Sequence, residues 1–256
     1  AALTFYTMIA FGKLIGTAKV DLAWVFFDSL GVFAFSKWYF QDKSNLKWLV
    51  LSGVFLGVGL GMKYTSLYTI LTLGLALVLD SAMNKEQRSF KGLVSRILAL
   101  AFPIMIGSLW LIRTYSLTGN PVYPMFNNVF LGDRIGEIGF NDFRGVLGFP
   151  AILWSISMDY TARGMGKPIG PVLIATIPLL LLVRGVDRHV KYFLAFALIT
   201  AVLWYFGVQR PRHFLTTLAM LSIVSGYTIV MLLQHRRILA ILLLSLILAA
   251  TSLNFV

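Results

Sequence analysis

Cysteine is absent from the 256 residues. That excludes a disulfide framework and any thiolate metal site. Charge is scarce: Asp, Glu, Lys and Arg make up 12% of the chain, against about 25% in a soluble domain. Histidine occurs only at 189, 213 and 235, each alone in its stretch. There is no glycine-rich phosphate loop, no HExxH helix and no Ser-His-Asp cue. ATP-driven transport therefore has no motif to support it.

What is abundant is apolar. Hydrophobic residues make up 58% of the chain, arranged in long runs, which predicts an all-α integral membrane protein. The net charge of +12 does not point to nucleic acid. Lys and Arg fall in loops between apolar runs, where positive-inside bias and anionic headgroups account for them.

A spanning helix needs about 20 apolar residues, or about 17 at the short end. Leu3–Ile15 is shorter and begins inside a hydrophobic segment, so it is expected to be the tail of a span that starts upstream, in a longer protein. Complete spans are expected over Leu22–Phe40, Leu93–Ile112, Ile169–Val183, Tyr192–Val208, Phe214–Leu233 and Ile238–Phe255. Trp48–Leu79 as one helix would measure about 48 Å, too long for a hydrocarbon core of about 30 Å. It is expected to split at Lys63 into two spans. The total is about eight complete spans plus one truncated, forming one membrane domain over 1–256. With that split, the basic loops 41–47, 84–96, 184–191 and 234–237 share one side. The positive-inside rule makes that side the cytoplasm.

The long polar stretch 113–168 then lies on the extracytoplasmic side, with Lys63 and the corner QRPRH (Gln209–His213). Within it, TGNPVYPMFNNVF (Thr118–Phe130) combines turn formers with Tyr123, Phe126 and Phe130, rings that seat at a membrane interface. GVLGFPAILWSISMDY (Gly145–Tyr160) is short for a span and suits an interfacial helix. Gly53, Gly57 and Gly61 recur at every fourth residue, a spacing that lets helices approach closely.

The ionisable groups expected on that face include the acids Asp21, Asp133, Glu137, Asp142 and Asp159. The bases are Lys19, Lys63, Arg113, Arg134, Arg144, Arg163, Lys167, Arg210, Arg212 and His213. Asp21 opens a helix, so it is either an N-cap or a group that holds a sugar hydroxyl or a metal. Asp28 shares its face two turns deeper and is expected to point into the bundle. Lys63 either snorkels or binds a phosphate as a point charge. Arg210, Arg212 and His213 are either interfacial anchors or, with Lys63, an anion site at headgroup depth.

Four stretches in order resemble polytopic GT-C glycosyltransferases of the dolichyl-phosphate-mannose–protein mannosyltransferase kind. They are AKVDLAWVFF (Ala18–Phe27), GVFLGVGLGMKYTSLY (Gly53–Tyr68), TGNPVYPMFNNVF and QRPRHFLTTLAMLSIVSG (Gln209–Gly226). Thr216 or Thr217 stands where that family usually has proline. The resemblance implies sugar transfer from a polyprenyl-phosphate donor to a protein, lipid or glycan acceptor at the extracytoplasmic face. The membrane implied is a bacterial or archaeal plasma membrane. It makes Asp21 a supporting acid and puts Lys63, Arg210, Arg212 and His213 near the lipid phosphate. The acceptor side falls to Arg113, Asn120, Tyr123 and Asn127. The main catalytic acid of such enzymes lies in a loop upstream of Ala1. The resemblance fixes no cofactor, and a divalent metal is compatible with it. The alternatives are a secondary transporter or lipid flippase, and a non-catalytic subunit of a membrane glycosylation complex.

Overall fold

The computed structural model describes residues 2–6, 8, 20–84, 89–123, 127–130, 145–158, 169–207 and 209–252. The described residues are helical, with turns and no strand. Among the described residues, four helices are long and apolar enough to cross a membrane: Ser66–Met83, Phe90–Gly107, Arg188–Phe206 and Leu215–His235. The helices group into two compact units, Val20–Gly139 and Ala1–Lys19 with Phe140–Val256.

The first unit holds α2 (Asp21–Phe40), α3 (Lys47–Met62), α4 (Ser66–Met83) and α5 (Phe90–Gly107), then α6 (Leu109–Thr118) and the single turn α7 (Asn127–Phe130). The expected split at Lys63 is present. Lys63 is extended (φ −157°, ψ 128°) and caps α3 through its N–H on the Gly59 carbonyl. The tight turn that follows, with Ser66 N–H on the Lys63 carbonyl, starts α4.

Cross-helix contacts fix the order of ends. Ser52 Oγ donates to the Gly31 carbonyl, while Lys63 pairs with Asp21, so α3 runs antiparallel to α2. Ser66 and Thr69 reach Asp28 and Lys43 reaches Asp80 at 2.5 Å, so α4 runs parallel to α2. The 41–46 turn and the Met83 end of α4 therefore share one end of this unit, and Asp21 and Lys63 share the other. The Trp38 indole N–H on the Lys43 carbonyl (3.0 Å) ties the 41–46 turn back onto α2.

The glycine ridge packs as its spacing predicts. Gly53 and Gly57 lie against the backbone of Leu100 and Pro103, and Gly107 against that of Gly57. A Cβ on Gly57 would sit 2.7 Å from the Pro103 carbonyl oxygen. Backbone meets backbone here, which small residues alone allow.

Helix α5 begins at Phe90 behind a Ser89 cap, earlier than the expected Leu93. It breaks at Ser108, whose N–H turns back to Met105. Helix α6 then carries the chain past Arg113, where the composition places the start of a loop, to Thr118. Gly119 (φ 73°) closes α6 in the left-handed conformation.

In the second unit are α1 (Ala2–Tyr6), α8 (Gly148–Met158), α9 (Val172–Thr176), α10 (Arg188–Phe206), α11 (Leu215–His235) and α12 (Arg237–Ser252). Helix α8 forms where the interfacial helix is expected and is shorter. Its inner side is Ile152 and Ile156, both fully buried, and Trp154 faces outward. A continuous span over Ile169–Val183 is not what forms. Helix α9 gives way at Pro178 to a 3-10 turn, Pro178–Leu182, because proline has no N–H to continue the ladder.

Helices α10, α11 and α12 follow the expected spans. Trp204 stacks on Phe214 with ring centroids 4.6 Å apart, and Val172, Ile229, Leu232, Ala240, Leu243 and Ile247 form an apolar core. Asp187 caps α10 by accepting the His189 N–H at 2.7 Å. That bond holds the Asp187 carboxyl below the usual carboxylate range. A group with a depressed folded pKa stabilises above its unfolded pKa of about 3.9, and loses that contribution as pH falls through the folded value. Asp187→Ala is therefore expected to lower the thermal midpoint at pH 7. The gap to wild type should close once the pH falls below about 4, which midpoints measured across pH will check.

Candidate functional site

The end of the first unit that carries Asp21 and Lys63 is a connected polar cluster inside an apolar bundle. Asp21 is the first residue of α2. The cap position is Val20, which makes no side-chain cap bond. Rather than cap the helix, the Asp21 carboxylate pairs with the Lys63 ammonium, with side-chain exposures of 5% and 12%. An ion pair this enclosed meets little solvent screening, unlike an exposed one. Lys63 does not snorkel freely. Its ammonium also lies over the Trp24 ring, 4.8 Å from the centroid, within reach of a cation–π attraction.

Two turns beyond Asp21 on α2, Asp28 is wholly buried, facing the bundle as its spacing from Asp21 predicts. Its carboxylate accepts the Trp24 indole N–H (3.0 Å), Ser66 Oγ (2.6 Å) and Thr69 Oγ1 (2.7 Å). Burying a carboxylate is costly unless donors replace water, and three do so here. Gly59 leaves the room: a Cβ there would lie 2.6 Å from Asp28 Oδ1 and 2.7 Å from Ser66 Oγ. Trp24, Ser66 and Thr69 are missing from the residues picked out by sequence. The signal was available, since Trp24 precedes Asp28 by four residues, and Ser66 and Thr69 lie three apart on one helix face.

Asp80, also unremarked in the sequence, is buried at the opposite end of the unit. It pairs with Lys43 and accepts Asn84 Nδ2 at 2.6 Å. Lys43 in turn lies over Tyr39, 4.4 Å from the ring centroid. This pair closes the bundle on the side of the 41–46 loop.

The acceptor-side residues take different roles. Arg113 is exposed on α6, over Trp110 at 5.0 Å. Asn120 and Asn127 are buried and bonded to each other (2.8 Å), and Asn120 Oδ1 also accepts the Val122 N–H at 3.0 Å. They build the GNPVY turn, an Asx arrangement. Tyr123 is exposed. Lys19, Phe126, Asp133, Arg134, Glu137, Asp142, Arg144, Asp159, Arg163 and Lys167 lie outside the described residues.

In the second unit, Pro211–His213 is a single 3-10 turn that delivers the chain into α11. Arg212 is exposed, Arg210 is half-buried and His213 is buried. The Arg210 carbonyl accepts the Trp204 indole N–H at 3.1 Å. The structure thus brings Asp21 and Lys63 together in one unit and gathers Arg210, Arg212 and His213 at one corner of the other. Also in the second unit is an apolar cavity of about 250 Å³, lined by Phe149, Ile156, Leu173, Leu198, Phe214 and Leu218 among others. No group of three or more metal-ligating His, Asp or Glu side chains occurs among the described residues.

Comparison with protein-family models, with curated proteins and with solved structures finds no match.

Proposed function

We propose that this chain is the membrane body of a GT-C-type glycosyltransferase, and that Lys63 and Asp21 line the site where a polyprenyl-phosphate-linked sugar donor gives up its sugar. The observation that carries this is the enclosed Asp21–Lys63 pair at one end of an apolar helical unit. A cation kept at that depth beside an acid is expensive in a membrane protein and calls for a use. Lys63 would steady the leaving phosphate, and Asp21 would orient the lysine and support the acceptor hydroxyl. In the second unit, the QRPRH corner with Arg210, Arg212 and His213 is a separate candidate for phosphate contact. A divalent metal would suit the phosphate chemistry, and the acceptor is a protein, lipid or glycan.

In this reading the chain crosses a bacterial or archaeal plasma membrane about eight times: α2 to α5, the segment around α9, α10, α11 and α12. The α9 segment supports a crossing although its helix is broken. Ile169 shares the apolar cavity with Phe214 and Leu218. Further on, the Asp187 N–H meets the Tyr227 hydroxyl at 3.3 Å, toward the other end of α11. Irregular backbone at membrane depth is tolerated where protein covers it.

The test is transfer from a polyprenyl-phosphate sugar by the full-length protein in proteoliposomes. Lys63→Ala and Asp21→Asn are expected to reduce transfer about 10²- to 10³-fold, the effect of removing a charge-stabilising donor. Unchanged transfer in both variants would overturn the site. Buried Asp28 favours a second reading, a secondary transporter, since an acid inside a span marks an ion path. Proton- or sodium-driven solute uptake abolished by Asp28→Asn, with no sugar transfer by wild type, would decide for it.

A further inference from the structure

Asp28 is not needed to explain the ion pair, and it is wholly buried among its own donors. Yet it is the most heavily bonded side chain of the cluster. It sits four residues after Trp24, so its carboxylate lies over the turn that carries the indole. It takes the indole N–H on Oδ2. Thr69 Oγ1 shares that oxygen, and Ser66 Oγ holds Oδ1. Ser66 and Thr69 belong to the first turn of α4, directly after the Lys63 turn. The clamp therefore ties α2, which carries the indole, to the start of α4 that follows Lys63. Trp24 itself is 1% exposed, and its ring face supports the ammonium 4.8 Å away.

We propose that Asp28 is a positioning residue, which fixes the Trp24 ring as a shelf under the Lys63 ammonium and so holds that cation beside Asp21. The phosphate-facing use of Lys63 rests on the function proposed above. The positioning itself does not. An ammonium that was merely paired to Asp21 could swing with its four-carbon stem. The shelf removes that freedom, and the hydrogen bonds of Asp28 remove the freedom of the shelf. Gly59 is the condition for this arrangement, because any side chain there would push Asp28 off Ser66.

The experiment is competitive acylation of the full-length protein in mild detergent with acetic anhydride, read lysine by lysine by mass spectrometry across pH. It needs no sugar donor, so its failure and failure of the glycosyltransferase reading are separate results. In wild type, Lys63 is expected to be the slowly acylated lysine relative to exposed Lys47 and Lys91. Asp28→Leu should raise the Lys63 rate about threefold to tenfold, the equivalent of a lost partly desolvated cation–π contact. Lys47 and Lys91 should stay within about twofold, as surface lysines away from the change do. Trp24→Leu should match it, and the double variant should add nothing further, since both act through one shelf. Asp28→Asn keeps one acceptor oxygen and should fall between wild type and Asp28→Leu. It carries the test by itself where the leucine variant does not fold. A Lys63 rate unchanged in Asp28→Asn and Asp28→Leu would overturn the proposal. So would a rise shared equally by all lysines, which would make Asp28 only a structural pin.

Discussion

Gly107→Leu is expected to drive α5 off α3 and to cost more stability than any other single glycine substitution in the first unit. The Gly107 backbone lies directly against the Gly57 backbone, so the clash is with main chain that has no rotamer to yield. Overpacking of a close interface costs about 1–3 kcal/mol and occasionally more. Here the whole α3–α5 seam, from Gly53 against Leu100 to Gly61 near Gly107, must open to admit the side chain. Gly74→Leu is the control. That glycine also lies in an apolar helix, but a Cβ there meets nothing within 4 Å. Its substitution should stay within about 0.5 kcal/mol, helped by the better helix propensity of leucine. Unfolding by increasing SDS in a mild detergent would read both. Equal midpoints for the two variants would show that the seam is not held by close backbone approach.

That seam was legible in the sequence, because a four-residue glycine repeat has one cheap structural use in an apolar helix. The break at Lys63 was legible for a different reason: bilayer thickness sets helix length, and Trp48–Leu79 exceeds it. The inward aim of Asp28 followed from helical period alone. Other features were not legible because they depend on tertiary partners. Asp21 read as a cap by position, yet its carboxylate turns to a lysine forty-two residues away in sequence. Composition placed Arg113 in a loop, whereas an uninterrupted run of good helix geometry carries α6 to Gly119. Asn120 and Asn127 read as acceptor contacts by pattern, and their bond to each other, with Asn120 Oδ1 on the Val122 N–H, is a tertiary feature that pattern does not give. The missed break in Ile169–Val183 was avoidable. Pro178 sits in the middle of that apolar run, and hydropathy outweighed a residue that cannot continue a helix. What no local pattern could give is the route from Asp21 through Lys63 to Trp24, since it leaves α2 for the Lys63 turn and returns.

The ion pair permits a decisive separation of structure from chemistry. Asp21→Leu should strand a lysine that is 12% exposed, and Lys63→Met should strand a carboxylate that is 5% exposed. Removing one partner of a buried pair costs about 3–5 kcal/mol, because the remaining charge stays without compensation. Lys63→Met carries an added penalty, as the Trp24 face loses its cation. The double variant, Asp21→Leu with Lys63→Met, replaces the pair with apolar groups of similar volume. Such replacements are often neutral or stabilising, so most of the stability lost in each single variant should return. If the pair were only a fastener, transfer from the polyprenyl-phosphate donor would return with it. If Lys63 meets the phosphate, the double variant should fold like wild type and remain about 10²- to 10³-fold slower. Thermal midpoints and transfer rates measured on the same four proteins give both axes of the cycle. A double variant that regains its midpoint and its rate together would reduce Asp21 and Lys63 to scaffolding and move the anion site to the Arg210–Arg212 corner.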